Sequence, residues 1–363
     1  VIIFLYLFTG LYFFFLFIII LGLMKQEKKI IPTYSKNIKV SVVVAARNEE
    51  DNIQNLINDF INQTYPKDKF EIIFSNDCST DETGRILDKA AKNNTFIHHI
   101  NIKTRSKDMT PKKYALEKAI QSATGDVIVT TDADCRVQEE WISSMASYVH
   151  SKGGIVIGFS KVSGKSLFHK YQMIDFLSIT AANAGFGGWN MFWSGSGQNL
   201  GYEKESFKKI GGFQPVKNRL SGDDMYLVQS ISKIDGAAIN TDPKSFVKTK
   251  PVKSIMAFLN QRSRWSSNAR VNIFKEPRFF CFLSTAFLCN LSLFMSFFIY
   301  RLEFLIIFLL KLIFEGVVIF LGGKIFKIVF RPLVFSLWSL LQPIYIPFIG
   351  LIGLLNFYSW KNE

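Results

Sequence analysis

DVIVTTDADCRV, residues 126–137, decides the fold of this chain. The apolar run at residues 127–129 is followed closely by two carboxylates, Asp132 and Asp134. A β-branched run bounded by polar residues predicts a buried strand. The oxygen atoms that follow it are hard ligands, which suit Mg²⁺ or Mn²⁺. The alternative is a polar turn in which an aspartate caps the next predicted helix.

Two earlier segments show the same order of elements. Residues 38–46 (IKVSVVVAA) and 70–77 (FEIIFSND) predict strands, and helical periodicity follows each of them. The helix after the second strand is expected to begin with Ser79 or Thr80 as its N-cap. Strands alternating with helices predict βαβ units and a mainly parallel sheet, so the fold class is α/β. Ligands bind such sheets at the carboxyl ends of the strands. Three aspartates are expected at those ends: Asp77, Asp132 and Asp134.

Four stretches are long and apolar enough to cross a bilayer. Residues 1–24 carry no charge, and further spans are expected at about 279–300, 302–322 and 332–356. A signal peptide is the alternative for the first stretch, but its positive charges follow the apolar run, which favours an uncleaved anchor. Positive charges also follow the third span, and the positive-inside rule places these ends in the cytoplasm. We therefore predict a multi-pass protein of the plasma (inner) membrane with a cytoplasmic central domain.

These spans divide the chain into three predicted regions. They are a transmembrane helix at 1–24, a domain at 25–275 with interfacial helices toward its C-terminal end, and about three transmembrane helices at 276–363. The net charge of +14 indicates attraction to anionic membrane lipids. Nucleic-acid binding is not expected, because the sequence has no zinc-finger spacing, RNA-binding signature or basic helix.

The third span contains two ionisable residues. Lys311 and Glu315 are four residues apart and therefore share one face of the predicted helix. Charges inside a bilayer are costly, so an internal ion pair is expected. A contact with a lipid acceptor headgroup is the alternative.

Four separated segments, taken in order, resemble those of one family. They are VVVAARNEE (42–50), FSNDCSTDET (74–83), TTDADCRV (130–137) and SGDDMYL (221–227), and QRSRW (261–265) follows them. The set resembles the family 2 inverting glycosyltransferases, closest to the membrane-embedded branch with a (Q/R)xxRW motif. Cellulose, chitin and hyaluronan synthases and ceramide glucosyltransferases belong to that branch. The resemblance covers about residues 38–275. It implies a GT-A domain, Rossmann-like with a mainly parallel sheet, flanked by one N-terminal and about three C-terminal transmembrane helices.

The resemblance also implies a role for the donor-side residues. Asp77 would read the base of a nucleotide-sugar donor, with uracil expected. Lys112 would face the donor diphosphate, and its neighbour Lys113 is the alternative. Asp132 would lie toward the ribose and the metal, and Asp134 would hold Mg²⁺ or Mn²⁺.

The remaining motif residues are assigned to the transfer step. Asp224 stands where the family has its general base, and a helix cap is the alternative. Gln261, Arg264 and Trp265 would lie beside the diphosphate and the acceptor pocket. The alternative for these three is an interfacial helix whose Arg and Trp lie at the lipid headgroups.

The predicted function is transfer of a sugar from a nucleotide-sugar donor, expected to be a UDP-sugar, to a membrane-associated acceptor. A lipid acceptor is favoured over a glycan, because only three spans follow the domain. The alternatives are a processive polysaccharide synthase and a non-catalytic membrane scaffold. The acids at 77, 132, 134 and 224 argue against the scaffold.

Overall fold

The computed structural model describes residues 2–358, which form two compact units. The helix unit contains the described residues up to Lys28, then Gly164–Trp193, then the described residues from Pro251 onward. The sheet unit contains Lys29–Ser163 and Ser194–Lys250. The linear domain bounds given above stay a prediction.

Helices and strands alternate through most of the described chain. The strands are β1 (Val40–Ala46), β2 (Phe70–Asp77), β3 (Ile97–Ile102), β4 (Val127–Thr130), β5 (Ile155–Ile157), β6 (Ser160–Val162), β7 (Leu200–Glu203), β8 (Ala237–Ile239) and β9 (Val247–Thr249). The α-helices are α1 (Ile2–Glu27), α2 (Ile53–Ile61), α3 (Thr83–Asn93), α4 (Pro111–Ser122), α5 (Trp141–Lys152), α6 (Leu167–Gly187), α7 (Lys204–Lys209), α8 (Asp223–Ile234), α9 (Ile255–Ser266), α10 (Ala269–Lys275), α11 (Pro277–Ile299), α12 (Arg301–Ile325) and α13 (Pro332–Leu354). Short 3-10 helices lie at Gln214–Val216 and Pro243–Ser245.

One large sheet organises the sheet unit. Its strand order is β3-β2-β1-β4-β7-β5-β8, and β6 pairs separately with β9. All neighbours in the large sheet are parallel except β7, which is antiparallel to both β4 and β5. The α/β class and the mainly parallel sheet are therefore confirmed.

The sequences of the central strands are mostly apolar, because helices cover both faces of a parallel sheet and bury the side chains on each face. In β1, Val42, Val43 and Val44 are all fully buried. On one face, Phe60 of α2 and Trp141 of α5 pack with ring centroids 6.2 Å apart. This packing fixes the position of the strands, and so of the polar residues that follow them.

The helix unit contains four helices, among the described residues, that are long and apolar enough to cross a membrane: α1, α11, α12 and α13. This confirms one N-terminal and three C-terminal candidate spans. The shorter helix α6 packs against α1, α12 and α13. Its contact with α1 is a close backbone approach, since a Cβ atom added to Gly22 would lie 1.8 Å from the Gly185 carbonyl oxygen. Only glycine allows two helices to approach this closely.

A polar cluster lies inside the helix unit. Lys311 and Glu315 are buried and form an ion pair at 2.8 Å, so the internal pair predicted from their spacing is confirmed. The Glu315 carboxylate also accepts hydrogen bonds from Tyr12 of α1 at 2.8 Å and from Ser339 of α13 at 2.9 Å. The Lys311 ammonium group donates to Gln342 of α13 at 3.0 Å. The cluster therefore joins three helices through hydrogen bonds.

Glu315→Ala is expected to destabilise the protein strongly, because it leaves the Lys311 charge buried without its carboxylate. Removing one partner of a buried ion pair costs about 3–5 kcal/mol. The measurement is chemical unfolding of the protein in detergent micelles. Leu309→Ala is the control, because Leu309 lies on the same helix but is 50% exposed. Equal unfolding free energies for the two variants would contradict the prediction.

Candidate active site

Polar residues follow three parallel strands at one edge of the large sheet. The β-ladder aligns Ala46 of β1 with Asn76 of β2, and Val43 of β1 with Thr130 of β4. The strand ends at Asp77 and the loop that starts after Thr130 therefore lie at the same, carboxyl edge. Asp132 and Asp134 belong to that loop. Neither of them caps the following helix, because the N-cap position of α5 is Glu140.

Lys112, at the start of α4, faces this loop. Its ammonium group lies 2.8 Å from an Asp132 carboxylate oxygen. Burial alone would lower the pKa of Lys112, but the charges of Asp132 and Asp223 together raise it above its ordinary value. The neighbouring Lys113 turns elsewhere and donates to the Arg219 carbonyl oxygen. Of the two lysines considered, the structure brings Lys112 to the aspartates.

Asp224 also lies at this edge, where it contacts the glycine-containing loop that precedes β7. The Gly197 amide donates to Asp224 at 3.2 Å, and the Thr130 hydroxyl donates to the Gly197 carbonyl oxygen at 3.1 Å. Asp224 lies in the first turn of α8, which follows Gly222 in the left-handed conformation (φ 85°). The N-cap position of α8 is therefore Gly222 and not Asp224, while the Asp224 carboxylate also accepts from the Met225 amide of the same turn at 2.7 Å.

Four of these side chains line one small cavity of about 10 Å³. In its lining, Lys112 and Asp132 contact each other, and Asp223 and Asp224 both belong to α8. The cavity therefore brings a cationic group and three carboxylates together, from segments that are far apart in the sequence.

Two of the carboxyl groups at this edge have strongly raised pKa values. Burial, and then the negative charges of Asp132 and Glu49, raise the pKa of Asp134 to about 6. Burial, and then the charge of Asp223, raise the pKa of Asp224 to about 6. Both groups are therefore stabilised less well as anions than ordinary aspartates, which is a common property of functional carboxyl groups.

Asp77, at the end of β2, is buried, and its Oδ1 has no hydrogen-bond partner among the described residues. Burial raises the pKa of Asp77, while the positive charges of Arg47 and Arg105 oppose that rise. A buried acceptor without a partner is costly, so this oxygen is suited to a donor group on a ligand.

The loops that follow β1 and β2 are joined by a ladder of backbone-to-side-chain hydrogen bonds. The amides of Asn48 and Glu49 donate to the hydroxyls of Ser79 and Thr83, at 3.0 and 2.8 Å. The Thr80 amide donates back to the Asn48 side chain at 2.9 Å. The N-cap position of α3 is Glu82, so the predicted cap by Ser79 or Thr80 is wrong, and the ladder engages both of those residues instead.

Sequence reasoning assigned no role to three charged residues near the aspartates: Arg47, Glu49 and Arg105. Arg47 and Glu49 belong to the segment RNEE, which directly follows a predicted strand. That position is the feature of the sequence that could have indicated a role for them. Arg105 lies in a loop without any pattern, so the sequence offered no signal for it.

Gln261, Arg264 and Trp265 belong to α9, in the helix unit. All three are partly exposed, whereas Arg262 between them is 4% exposed. The Trp265 ring packs against Phe176 of α6, with ring centroids 6.0 Å apart. These contacts describe α9 within the helix unit, and the ligand roles of its three motif residues stay predictions.

The aspartate loop fits a divalent cation that is shared with a phosphorylated ligand. Mg²⁺ is usually bound by one or two carboxylates together with substrate phosphates. Asp132 and Glu49 both raise the pKa of Asp134, and a cation there would offset this repulsion. No cluster of three or more His, Cys, Asp or Glu ligands occurs within residues 2–358.

Residues 41–213 match the family model described as Glycosyl transferase family 2. The chain carries a glycosyl transferase family 2 domain. The matched residues contain the strand ends, Asp77, Lys112 and the aspartate loop. Asp224 and α9 lie beyond them, so their roles rest on the motif resemblance.

The family 2 domain is similar to named proteins over part of their length. The chain is 26% identical over 255 residues to the probable glycosyltransferase YdaM of Bacillus subtilis, covering 68% of this chain and 59% of YdaM. It is 34% identical over 104 residues to the beta-monoglucosyldiacylglycerol synthase of a Nostoc species, covering 28% of this chain and 22% of that enzyme. The chain therefore spans less than two thirds of the length of either relative.

A solved structure supports the fold. The mannosyltransferase PcManGT from Pyrobaculum calidifontis, solved with GDP-Man and Mn²⁺, matches with a TM-score of 0.61 and 18% identity. The match covers 99% of both chains. Together with the family 2 domain, this confirms the GT-A fold predicted from the motifs.

Proposed function

We propose that this protein is an inverting glycosyltransferase that moves a sugar from a nucleotide-sugar donor to a lipid at the cytoplasmic leaflet of the membrane. The observation that carries the proposal is the position of Asp224. Its carboxylate, with a raised pKa, lines the same cavity as Lys112 and Asp132 in a family 2 domain.

We propose that the donor binds at the carboxyl edge of the sheet. Asp77 accepts a hydrogen bond from the base through its unpartnered oxygen, and a UDP-sugar is the expected donor. Asp132 and Asp134 would hold Mg²⁺ or Mn²⁺, which would supply positive charge to stabilise the negative charge of the diphosphate. Lys112 is proposed to offset the charge that develops on the leaving diphosphate.

Asp224 is proposed to act as the general base. It takes the proton of the acceptor hydroxyl while that oxygen attacks the anomeric carbon. The bond from that carbon to the diphosphate oxygen breaks on the opposite face, so the configuration inverts and a nucleoside diphosphate leaves. A positioned base contributes about 10²–10⁴-fold to such a step.

The lipid acceptor is supported by the four apolar helices and by the name of the Nostoc relative, which describes a glycolipid synthase. Lysines after α1 and between α12 and α13 support a cytoplasmic sheet unit in the plasma (inner) membrane. A processive polysaccharide synthase is the second candidate, because a relative named poly-beta-1,6-N-acetyl-D-glucosamine synthase also matches.

The test is a transfer assay with the protein purified in detergent. A panel of nucleotide sugars is supplied with Mn²⁺, with and without extracted membrane lipids, and nucleoside diphosphate release and product mass are measured. Release that requires lipid and gives one discrete glycolipid supports the proposal. A polymer of high mass favours the synthase, and no release with any donor favours the non-catalytic scaffold.

The rate of transfer is expected to rise with pH through the titration of Asp224. Only the ionised carboxylate can accept a proton, and burial and Asp223 raise the pKa of Asp224 to about 6. The value of kcat/KM should therefore increase between about pH 5 and 7 and then level off. Asp223→Asn should move this rise to lower pH, because it removes a neighbouring negative charge. A rise at the same pH in both proteins would contradict the assignment.

A further inference from the structure

Arg262 lies inside the QRSRW segment, at a position that the (Q/R)xxRW motif leaves open, and it has no role in the function proposed so far. It lies between Gln261 and Arg264 on α9 and is 4% exposed. Its Nη1 donates to the Gln261 side-chain oxygen at 2.6 Å. Its guanidinium carbon lies 4.1 Å from the centroid of the Trp265 ring. One buried cation therefore contacts two of the three residues that we expect to bind ligands.

The other side of Arg262 is held by Asp175 of α6. The Arg262 Nε donates to Asp175 Oδ2 at 2.6 Å, and the pair is buried. The second Asp175 oxygen accepts from the Trp338 indole of α13 at 3.2 Å. The guanidinium carbon also lies 4.6 Å from the Phe258 ring centroid. Arg262 is thus fixed in place by contacts with α6 and α9, and through Asp175 by α13.

This arrangement sets the direction of the Gln261 amide. A guanidinium group only donates hydrogen bonds, so the atom of Gln261 that faces Arg262 must be the oxygen. The amide nitrogen then points away from Arg262. Gln261 therefore presents a hydrogen-bond donor, which suits an oxygen of a phosphate or a sugar hydroxyl.

A purely structural role is the competing explanation, because buried ion pairs also occur away from functional residues. Lys311 and Glu315 form such a pair in the same unit, and it is hydrogen-bonded to side chains of α1 and α13. The Arg262 pair differs, since the same guanidinium contacts Gln261 and Trp265 directly. The two pairs provide a matched comparison.

We propose that Arg262, held by Asp175, is a positioning residue for sugar transfer. It fixes Gln261 with its amide nitrogen directed to a substrate oxygen, and it fixes the plane of the Trp265 ring. This inference rests on the proposed function. Arg262 itself does not touch the reacting atoms.

The first test is Arg262→Lys, measured by steady-state transfer in detergent at a temperature well below unfolding. Lysine keeps the positive charge but lacks the planar guanidinium group, whose several N–H donors bind Asp175 and Gln261 at the same time. A misplacement of about 1 Å can cost on the order of 10²-fold in rate. We expect kcat to fall by about 10–100-fold, with a much smaller change in donor KM. Parental kcat in this variant would overturn the proposal.

Two further variants separate positioning from stability. Asp175→Glu combined with Arg262→Lys should restore the ion pair and the melting temperature, but not the contact with Gln261, so kcat should stay low. Gln261→Glu keeps an oxygen toward Arg262 and lacks the amide nitrogen, so kcat should fall while the melting temperature does not. Parental kcat in either variant would contradict the inference.

Glu315→Ala is the matched control. It should lower the melting temperature and leave the kcat of the folded protein unchanged, because the hydrogen bonds of its pair go to side chains of α1 and α13. A loss of kcat equal to that of Arg262→Lys would assign both effects to stability and would overturn the proposal. If the parent protein transfers no sugar from any donor, the proposed function fails, independently of Arg262.

Discussion

Asp224→Asn is expected to lower the rate of sugar transfer by about 10²–10⁴-fold, the contribution of a positioned general base. Asparagine keeps the shape and can still accept from the Gly197 amide, which donates to Asp224 at 3.2 Å. It cannot take a proton from the acceptor hydroxyl. The measurement is the single-turnover rate with saturating donor, together with donor affinity from a separate binding titration. Affinity should change little, because the substitution acts on the acceptor proton.

Asp223→Asn is the matched comparison for this variant, since it is the adjacent residue and lines the same cavity. Its loss at pH 8 should be small compared with that of Asp224→Asn. Equal losses of transfer rate in both variants would mean that the two carboxylates contribute only through their negative charge. The assignment of the general base to Asp224 would then be wrong.

Asp134→Asn is expected to lower activity by about 10²-fold and to stabilise the metal-free protein at the same time. Burial and the charges of Asp132 and Glu49 raise the pKa of Asp134 to about 6, so above that pH its ionised form is unfavourable in the folded state. A neutral side chain removes this cost. It also removes a ligand of the expected cation, so more Mn²⁺ should be required for half-maximal activity. Activity against Mn²⁺ concentration and thermal unfolding in EDTA are the two measurements.

The control for this variant is Asp235→Asn, at the C-terminal end of α8. Hydrogen bonding from Ser206, and then from Lys209, lowers the pKa of Asp235, so its neutralisation should reduce stability and leave the Mn²⁺ requirement unchanged. If Asp134→Asn and Asp235→Asn change stability in the same direction, the repulsion described for Asp134 does not govern that site.

The parts of the fold that could be predicted are those with local patterns. β1, β2 and β4 are mostly apolar and are followed by polar residues, because they lie in the interior of a mainly parallel sheet. The four apolar helices follow from length and hydropathy alone. Asp132, Asp134 and Lys112 could be selected as candidates because the order of several motifs adds information that a single pair of aspartates two residues apart lacks.

The parts that could not be predicted depend on contacts between distant segments. β5, β6, β8 and β9 have three residues each, too few to show a period. The Gly197 loop that connects Thr130 with Asp224 has no sequence signature, and β7 reverses direction in the sheet without one. Ser79 and Thr80 resembled a helix cap, but the loop after β1 competes for the same polar groups.

The packing of α6 has a consequence for the order in which the protein can be completed during synthesis. α6 ends at Gly187, and two of its partners, α12 and α13, begin only at Arg301 and Pro332. At roughly 5–20 residues per second, the ribosome needs on the order of ten seconds to cover that interval. During this time α6 can contact α1 through Gly185 and Gly22, while Ala181 still lacks the close contact with Gly322 that the complete chain provides. The later translation of α12 and α13 therefore decides whether α6 becomes buried or stays accessible to proteases and chaperones.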